Sequence, residues 1–227
     1  MGTLVLIFLA LYGTIAGAPD AGNAPRTAVP DTAVPEAEGE APSGSADGTS
    51  SGRLLVVGDS LAVGAEAPLA GLLPGWRIQT SAFRGRHTDD GVAEIVSRGS
   101  LPDVIVVSLG TNDDPSATSS FQGQVEAVLD AASGRCVVWA NIVRPPYAGV
   151  SYAGYNRVLE RLSFSRPNLI VVDWAGITRS QPGLMASDGV HATPHGYEVR
   201  AQAIASAIAS CGGVQAYGQA GGGVPGD

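Results

Sequence analysis

At 227 residues with 44% hydrophobic side chains, the chain is long enough for one domain with a sizeable core plus tails, and two domains are not expected. A net charge of −8 excludes a nucleic-acid binder built on phosphate neutralisation, which needs clustered cations. Two Cys exclude a disulfide-rich scaffold, no C-x-x-C pair points to zinc, and the absence of a clear apolar run of roughly 20 residues excludes a multi-pass membrane protein.

Residues 3–18 form an apolar stretch that ends in Ala16-Gly17-Ala18, an A-x-A-like cleavage pattern. Residues 1–18 are therefore expected to be a signal peptide or, because no Lys or Arg precedes the run, a retained N-terminal membrane anchor. Either places the rest of the chain outside the cytoplasm, extracellular or in the cell envelope. Residues 19–52 contain no aromatic residue and no Leu, Ile or Met, so they cannot bury enough apolar surface to offset their ordering entropy. Six acids (Asp20, Asp31, Glu36, Glu38, Glu40, Asp47) against Arg26 make this expected disordered linker the source of most of the net charge. Residues 53–211 are expected to be the domain, and 212–227 a disordered Gly-rich tail. All 13 formal cations are Arg, which together with the Ala and Gly usage reads as GC-rich bacterial coding rather than chemistry.

Within the domain, continuous apolar runs alternate with helical periodicity. The runs are 54–57, 104–109, 136–140 and 169–172, with a weaker one at 76–82. Short, β-branched and apolar on both faces, they predict strands of a parallel sheet covered on both sides. Helical spacing marks 61–73, 88–98, 119–132, 151–164 and 194–210. In the last of these Thr193 stands as N-cap and Pro194 as N1, with Tyr197, Ala201, Ile204, Ala205 and Ile208 along one face. The alternation predicts a three-layer α/β/α sandwich of about five parallel strands with right-handed crossovers, a flavodoxin-like arrangement. Such folds bind ligands at the carboxyl ends of the strands.

The polar residues expected at those ends are Gly58-Asp59-Ser60-Leu61, Phe83-Arg84-Gly85-Arg86, Gly110-Thr111-Asn112-Asp113 and, before the last helix, Asp188-Gly189-Val190-His191. A Ser on a strand-to-helix turn presents its Oγ outward, with the free N–H groups of the helix start behind it. It needs a base to take its proton, and His191 fits that role. Asp188, three residues earlier, can bond the other imidazole nitrogen and fix the tautomer. An oxyanion needs two or three donors, which the backbone N–H groups of Ser60 and Gly85 and the Asn112 amide can supply. Gly85 is expected to let the backbone approach a ligand closely.

These four segments resemble, in order, the four blocks of the SGNH/GDSL hydrolase family, over nearly all of residues 53–210. The match at the second block rests on Gly85 alone. The resemblance implies Ser60 as nucleophile, His191 as base, Asp188 as third triad member, and Ser60, Gly85 and Asn112 as oxyanion hole. A narrower likeness is carried by Gly85-Arg86 with Thr88 and Gly91, and by Asp188–His191 followed by Thr-Pro-x-Gly-Tyr. It is similar to the SGNH domains associated with membrane acyltransferases of cell-surface glycans, including those that O-acetylate peptidoglycan. The resemblance implies an exported serine esterase for short, acetyl-type esters on a small ester or an O-acetylated glycan. The alternative is an O-acetyltransferase, for which a separate membrane protein would have to deliver the acyl donor. Neither needs a metal or other cofactor.

Blander readings stand beside these. Asp59 and Asp113 read as turn carboxylates that bond nearby backbone. His87 and His195 with His191 lack a supporting carboxylate or Cys pattern for a metal. Trp139 and Trp174 read as core residues before sugar platforms. A tethered, non-catalytic glycan-binding domain is the reading from a different class. In an oxidising compartment Cys136 and Cys211 are expected to pair, with two separate thiols as the alternative.

Overall fold

The computed structural model describes residues 52–220, with side chains through residue 212. The expected signal or anchor at 1–18, the linker up to Ser51 and the last residues of the tail, 221–227, lie outside the described residues.

Five strands form one parallel sheet: β1 (Arg53–Gly58), β2 (Arg77–Ala82), β3 (Val104–Ser108), β4 (Cys136–Ala140) and β5 (Leu169–Val172). Their order is β2-β1-β3-β4-β5. The helices are α1 (Ser60–Leu72), α2 (Thr88–Ser97), α3 (Thr118–Ala131), α4 (Ala153–Ser165), α5 (Trp174–Ser180) and α6 (Pro194–Ala220). The continuous apolar runs follow from burial on both faces. Successive strand residues point to opposite sides. Leu55, Val57, Ile105, Val107, Val137 and Trp139 join Val92, Phe121, Val125, Val158 and Leu159 of α2, α3 and α4 in one core. Leu54, Val56, Val104, Val106, Cys136 and Val138 meet Ala62 and Leu69 of α1 and Ala201, Ile204 and Ile208 of α6 in the other.

The α1–α6 contact is tight. A Cβ on Gly64 would fall 2.2 Å from the Tyr197 ring, so only glycine lets the two helices close. A Cys136–Cys211 disulfide, Cα–Cα 5.7 Å, ties β4 to α6. Trp139 and Trp174 are fully buried.

Two features differ from the sequence expectation. The α5 helix follows β5 where no helix is predicted. It is too short to show periodicity, but Asp173 caps it, accepting from Gly176 N at 2.9 Å. The last helix runs to Ala220, beyond the end expected at residue 210. Its start is as expected: Thr193 Oγ1 accepts from Gly196 N at 3.1 Å, and Pro194 is its first residue.

The chain reverses its direction of sheet growth at β1, from which β2 lies on one side and β3 on the other. A crevice opens at such a switch point, outside the carboxyl ends of the two central strands. The segments that leave those ends are Asp59-Ser60 and Leu109–Asp113.

Candidate active site

Ser60 is the first residue of α1. Asp59 is its N-cap: buried completely, it accepts from Leu61 N through Oδ1 at 2.9 Å. Its own N–H donates to Ser108 O at the end of β3, 3.1 Å away, which pins the turn to the neighbouring strand. Burial pushes the Asp59 carboxyl above its ordinary range, against the opposing pull of the Leu61 N–H, the Arg200 charge and the Thr111 hydroxyl.

Arg200 is the buried cation that faces this turn. It is 1% exposed, donates through Nη2 to Ser108 Oγ at 2.9 Å, and lies 5.2 Å from the centre of the Trp174 ring. Desolvation lowers its guanidinium to about 10, with Asp59 and Tyr197 acting the other way. Arg200 is absent from the sequence expectation, because the periodicity that marks α6 rests on its apolar positions alone. The signal was an Arg on the apolar face, next to Ala201.

The loop from Leu184 to Thr193 brings the remaining chemistry to Ser60. It closes on itself through an antiparallel bridge between Met185 and Ala192, with Ala186 N donating to His191 O at 2.8 Å. Asp188 Oδ1 accepts from the backbone N–H groups of Val190 and His191, at 2.9 and 3.0 Å. Its Oδ2 accepts from His191 Nδ1 at 2.7 Å. That leaves Nε2 as acceptor, and Ser60 Oγ stands 3.0 Å from it, across 131 residues of sequence. The His191 hydrogen bond, with the two backbone donors, holds the Asp188 carboxyl far below the usual carboxylate range. The side chains of His191 and Asp188 are 45% and 49% exposed, so the row opens to solvent. A hydroxyl bonded to a neutral, oriented imidazole can give up its proton as it attacks an electrophilic carbon.

Asn112 reaches the Asp59 turn from the end of β3. Its Nδ2 donates to Arg86 O at 3.1 Å and, at a longer 3.3 Å, to Asp59 Oδ2. It thereby joins the first, second and third blocks into one cluster. Gly85 immediately precedes Arg86, whose carbonyl Asn112 bonds. A Cβ on Gly85 would meet nothing within 4 Å, whereas its φ of +76° is a conformation that favours glycine.

Arg86 fixes the Gly85 turn from inside. It is 3% exposed and donates to Ser81 O at 2.9 Å and Glu94 Oε2 at 2.6 Å. Asp113 does the same for the start of α2, accepting from Thr88 N at 3.1 Å, from the Thr88 hydroxyl, and from His87 Nδ1 at 3.0 Å. Tyr152 and Tyr155 of the α4 region donate their hydroxyls to the carbonyls of Asp113 and Asp114. Each histidine has its own carboxylate: His87 with Asp113, His191 with Asp188, His195 with Glu198. Cys136 and Cys211 lie in the core, as described above, away from this cluster.

Comparison with solved structures finds the same architecture in other chains. The C-terminal catalytic domain of peptidoglycan O-acetyltransferase A (OatA) of Streptococcus pneumoniae is 20% identical, with a TM-score of 0.57 over 72% of this chain and 94% of that one. A lipase/acylhydrolase of Enterococcus faecalis is 20% identical, with a TM-score of 0.55 over 69% of this chain and 94% of that one. A member of the lipolytic protein G-D-S-L family from Veillonella parvula is 16% identical, with a TM-score of 0.54 over 70% and 96%. No family model matches the sequence, and no curated protein does. With five parallel strands in the order β2-β1-β3-β4-β5 and these neighbours, the fold of the chain is that of the SGNH/GDSL hydrolases.

Proposed function

We propose that the chain is an exported serine esterase that removes short acyl groups, acetyl above all, through an acyl-enzyme. The observation that carries this is the row Ser60 Oγ–His191 Nε2–Asp188 Oδ2, with contacts of 3.0 and 2.7 Å. In the first half-reaction Ser60 Oγ attacks the ester carbonyl while His191 takes its proton. The charge that forms on the carbonyl oxygen is held by the N–H groups of Ser60 and Gly85 and by Asn112. Asn112 can serve by exchanging its longer bond, to Asp59, for the oxyanion. Asp188 stabilises the imidazolium, which then protonates the departing alcohol. In the second half-reaction water, deprotonated by His191, attacks the acyl-Ser60 carbonyl and releases the acid.

The half-exposed His191 and Asp188 favour a bulky alcohol. The leaving group must receive its proton from His191, so it stands at the solvent side of the site. A polymeric glycan can reach that position, and the small acyl group is the part that enters. Residues 1–18 and the acidic linker are consistent with a catalytic head displayed outside the cytoplasm, free or tethered.

A second reading is an O-acetyltransferase in which a sugar hydroxyl replaces water. It is favoured by the likeness to the O-acetyltransferase A catalytic domain and by the Gly85-Arg86 and Thr193–Tyr197 motifs. The transferase would draw its acyl group from a separate membrane protein.

The test is the full chain against its Ser60→Ala variant with 4-nitrophenyl acetate, following nitrophenol and acetate separately, with and without peptidoglycan fragments. Ser60-dependent release is expected, falling at least ~10⁴-fold in the variant. Equal rates of nitrophenol and acetate indicate a hydrolase. Nitrophenol outrunning acetate, with acetyl appearing on the glycan, indicates the transferase. No Ser60-dependent release would refute both and favour a glycan-binding module.

A further inference from the structure

The segment between β4 and α4 crosses the carboxyl edge of the sheet beside the Leu184–Thr193 loop. Arg144 in this segment donates to Thr111 O, one residue before Asn112, and its guanidinium lies 5.9 Å from the centre of the Tyr152 ring. The next residue, Pro145, abuts the loop itself: a Cβ on Gly189 would stand 3.1 Å from its Cγ. From the other side α5 presents Thr178 and Arg179, and Met185 begins the bridge that closes the loop. Between these elements is a cavity of about 430 Å³. That is within the span of roughly 300–1,000 Å³ usual for small-ligand sites.

The charge of this cavity is unlike that of the domain around it. Residues 53–211 carry 14 acids and 12 Arg, yet the cavity lining has two Arg, Arg144 and Arg179, and no carboxylate. Four guanidiniums elsewhere meet acids: Arg53 with Asp103, Arg86 and Arg98 with Glu94, and Arg166 with Asp130. Arg144 spends one donor on Thr111 O, and Arg179 has no hydrogen-bond or ion-pair partner among the described residues. Two cations on one cavity repel unless an anion lies between them. The guanidinium fork matches a carboxylate. The rest of the wall includes Val143 and Met185, half-buried apolar surface suited to the C–H face of a sugar ring.

We infer that this cavity binds a carboxylate-bearing sugar unit of the glycan, held by Arg144 and Arg179 next to the unit whose ester is cleaved. The location beside the cleaved ester rests on the esterase or transferase reading. The anion site itself rests only on the cavity. The carboxylate belongs either to a uronic acid ring or to a substituent such as a peptide stem, and the two sources are separable by experiment.

The full-length Ser60→Ala protein, which cannot turn over an ester, is titrated calorimetrically with three probes. These are a galacturonate trimer, a disaccharide-peptide from peptidoglycan, and a neutral N-acetylglucosamine trimer. At least one acidic probe is expected to bind roughly tenfold or more tightly than the neutral one, which is the worth of one charge-assisted pair. Adding Arg179→Glu should abolish that preference, and Arg179→Lys should keep most of it. Which acidic probe wins identifies the source of the carboxylate. Equal binding of all three, binding of none, or a preference that survives Arg179→Glu overturns the inference. Nitrophenyl acetate turnover by the unsubstituted protein reads the ester chemistry separately. Turnover with charge-blind binding removes the anion site, whereas charge-selective binding without turnover removes the enzyme and leaves the site.

Discussion

Asp59 and Asp188 are carboxylates that flank the contact between Ser60 and His191, and they work in opposite surroundings. Asp59 is completely buried, caps the helix that begins with Ser60, and has its carboxyl pushed up by burial. Asp188 is half exposed, bonds His191, and has its carboxyl pulled well down by that bond and by two backbone N–H groups. The difference divides the site in two. Ser60, the proposed nucleophile, stands on interior structure, braced by Arg200, Arg86 and Asp113. The proposed acid–base pair, His191 and Asp188, hangs on a surface loop that organises itself with its own hydrogen bonds. A fixed oxyanion site costs nothing to reorganise during reaction. An open imidazole can hand a proton to leaving groups of many sizes.

The largest effect expected from breaking this arrangement is on the open side, and it is an effect on rate alone. His191→Ala should lower kcat for nitrophenyl acetate by roughly 10⁴- to 10⁶-fold, and Asp188→Asn by roughly 10²- to 10⁴-fold. Neither should move the urea midpoint appreciably, because both side chains are half in water. A large loss of stability in either variant would show that the Leu184–Thr193 loop also braces the fold.

On the buried side the effect should fall on stability. Arg200→Met removes the cation that faces the buried Asp59 and the donor to Ser108 Oγ. A loss of about 3 kcal/mol is expected in urea unfolding, since the Ser108 hydroxyl loses its donor and the buried Asp59 carboxyl loses the nearby positive charge. Adding Asp59→Asn removes the stranded charge, so the double variant should be more stable than the sum of the two single losses predicts. Strict additivity would show that Arg200 and Asp59 do not interact, and the division proposed above would lose its electrostatic basis.

The same division explains what could be read from the chain alone. Strands covered on both faces announce themselves as runs such as Val104–Val107, so the sheet and its helices were legible, to within a residue or two at most ends. Ser60, Asp188 and His191 were legible because each sits in a short local pattern at a strand or helix end. The bracing roles were not. Arg200, Arg86 and Arg144 act through contacts with Ser108, Glu94 and Thr111, and no local spacing encodes those distant pairs. The positive φ of Gly85 was not legible either, since it is a property of the folded turn. The short α5 lacks the length to show a period, and its only local signal is the cap at Asp173.

The smallest effect expected is the most specific probe of the second block. Glu94 is the partner of Arg86, the residue that fixes the Gly85 turn. Burial opposes its ionisation, but hydrogen bonds from Arg98, Arg86 and Ser81 prevail and lower its carboxyl from 4.5 to about 2. A carboxyl lowered on folding stabilises the native state above its unfolded pKa and loses that contribution as pH falls toward the folded one. The Glu94 contribution should therefore be complete at pH 6 and above and fade between about pH 4.5 and 2. The side chain is 26% exposed, so solvent screening keeps the effect modest. Glu94→Gln should lower the melting temperature at pH 7 by a few degrees, and the gap from the parent protein should narrow steadily as pH is brought to 3. If Glu94 acts on the reaction through Arg86 and Gly85, Glu94→Gln should also lower kcat more than it changes KM at pH 7. A parallel loss of stability with no change in kcat would confine Glu94 to the scaffold and leave Arg86, through its backbone bond with Asn112, as the inner limit of the reactive cluster.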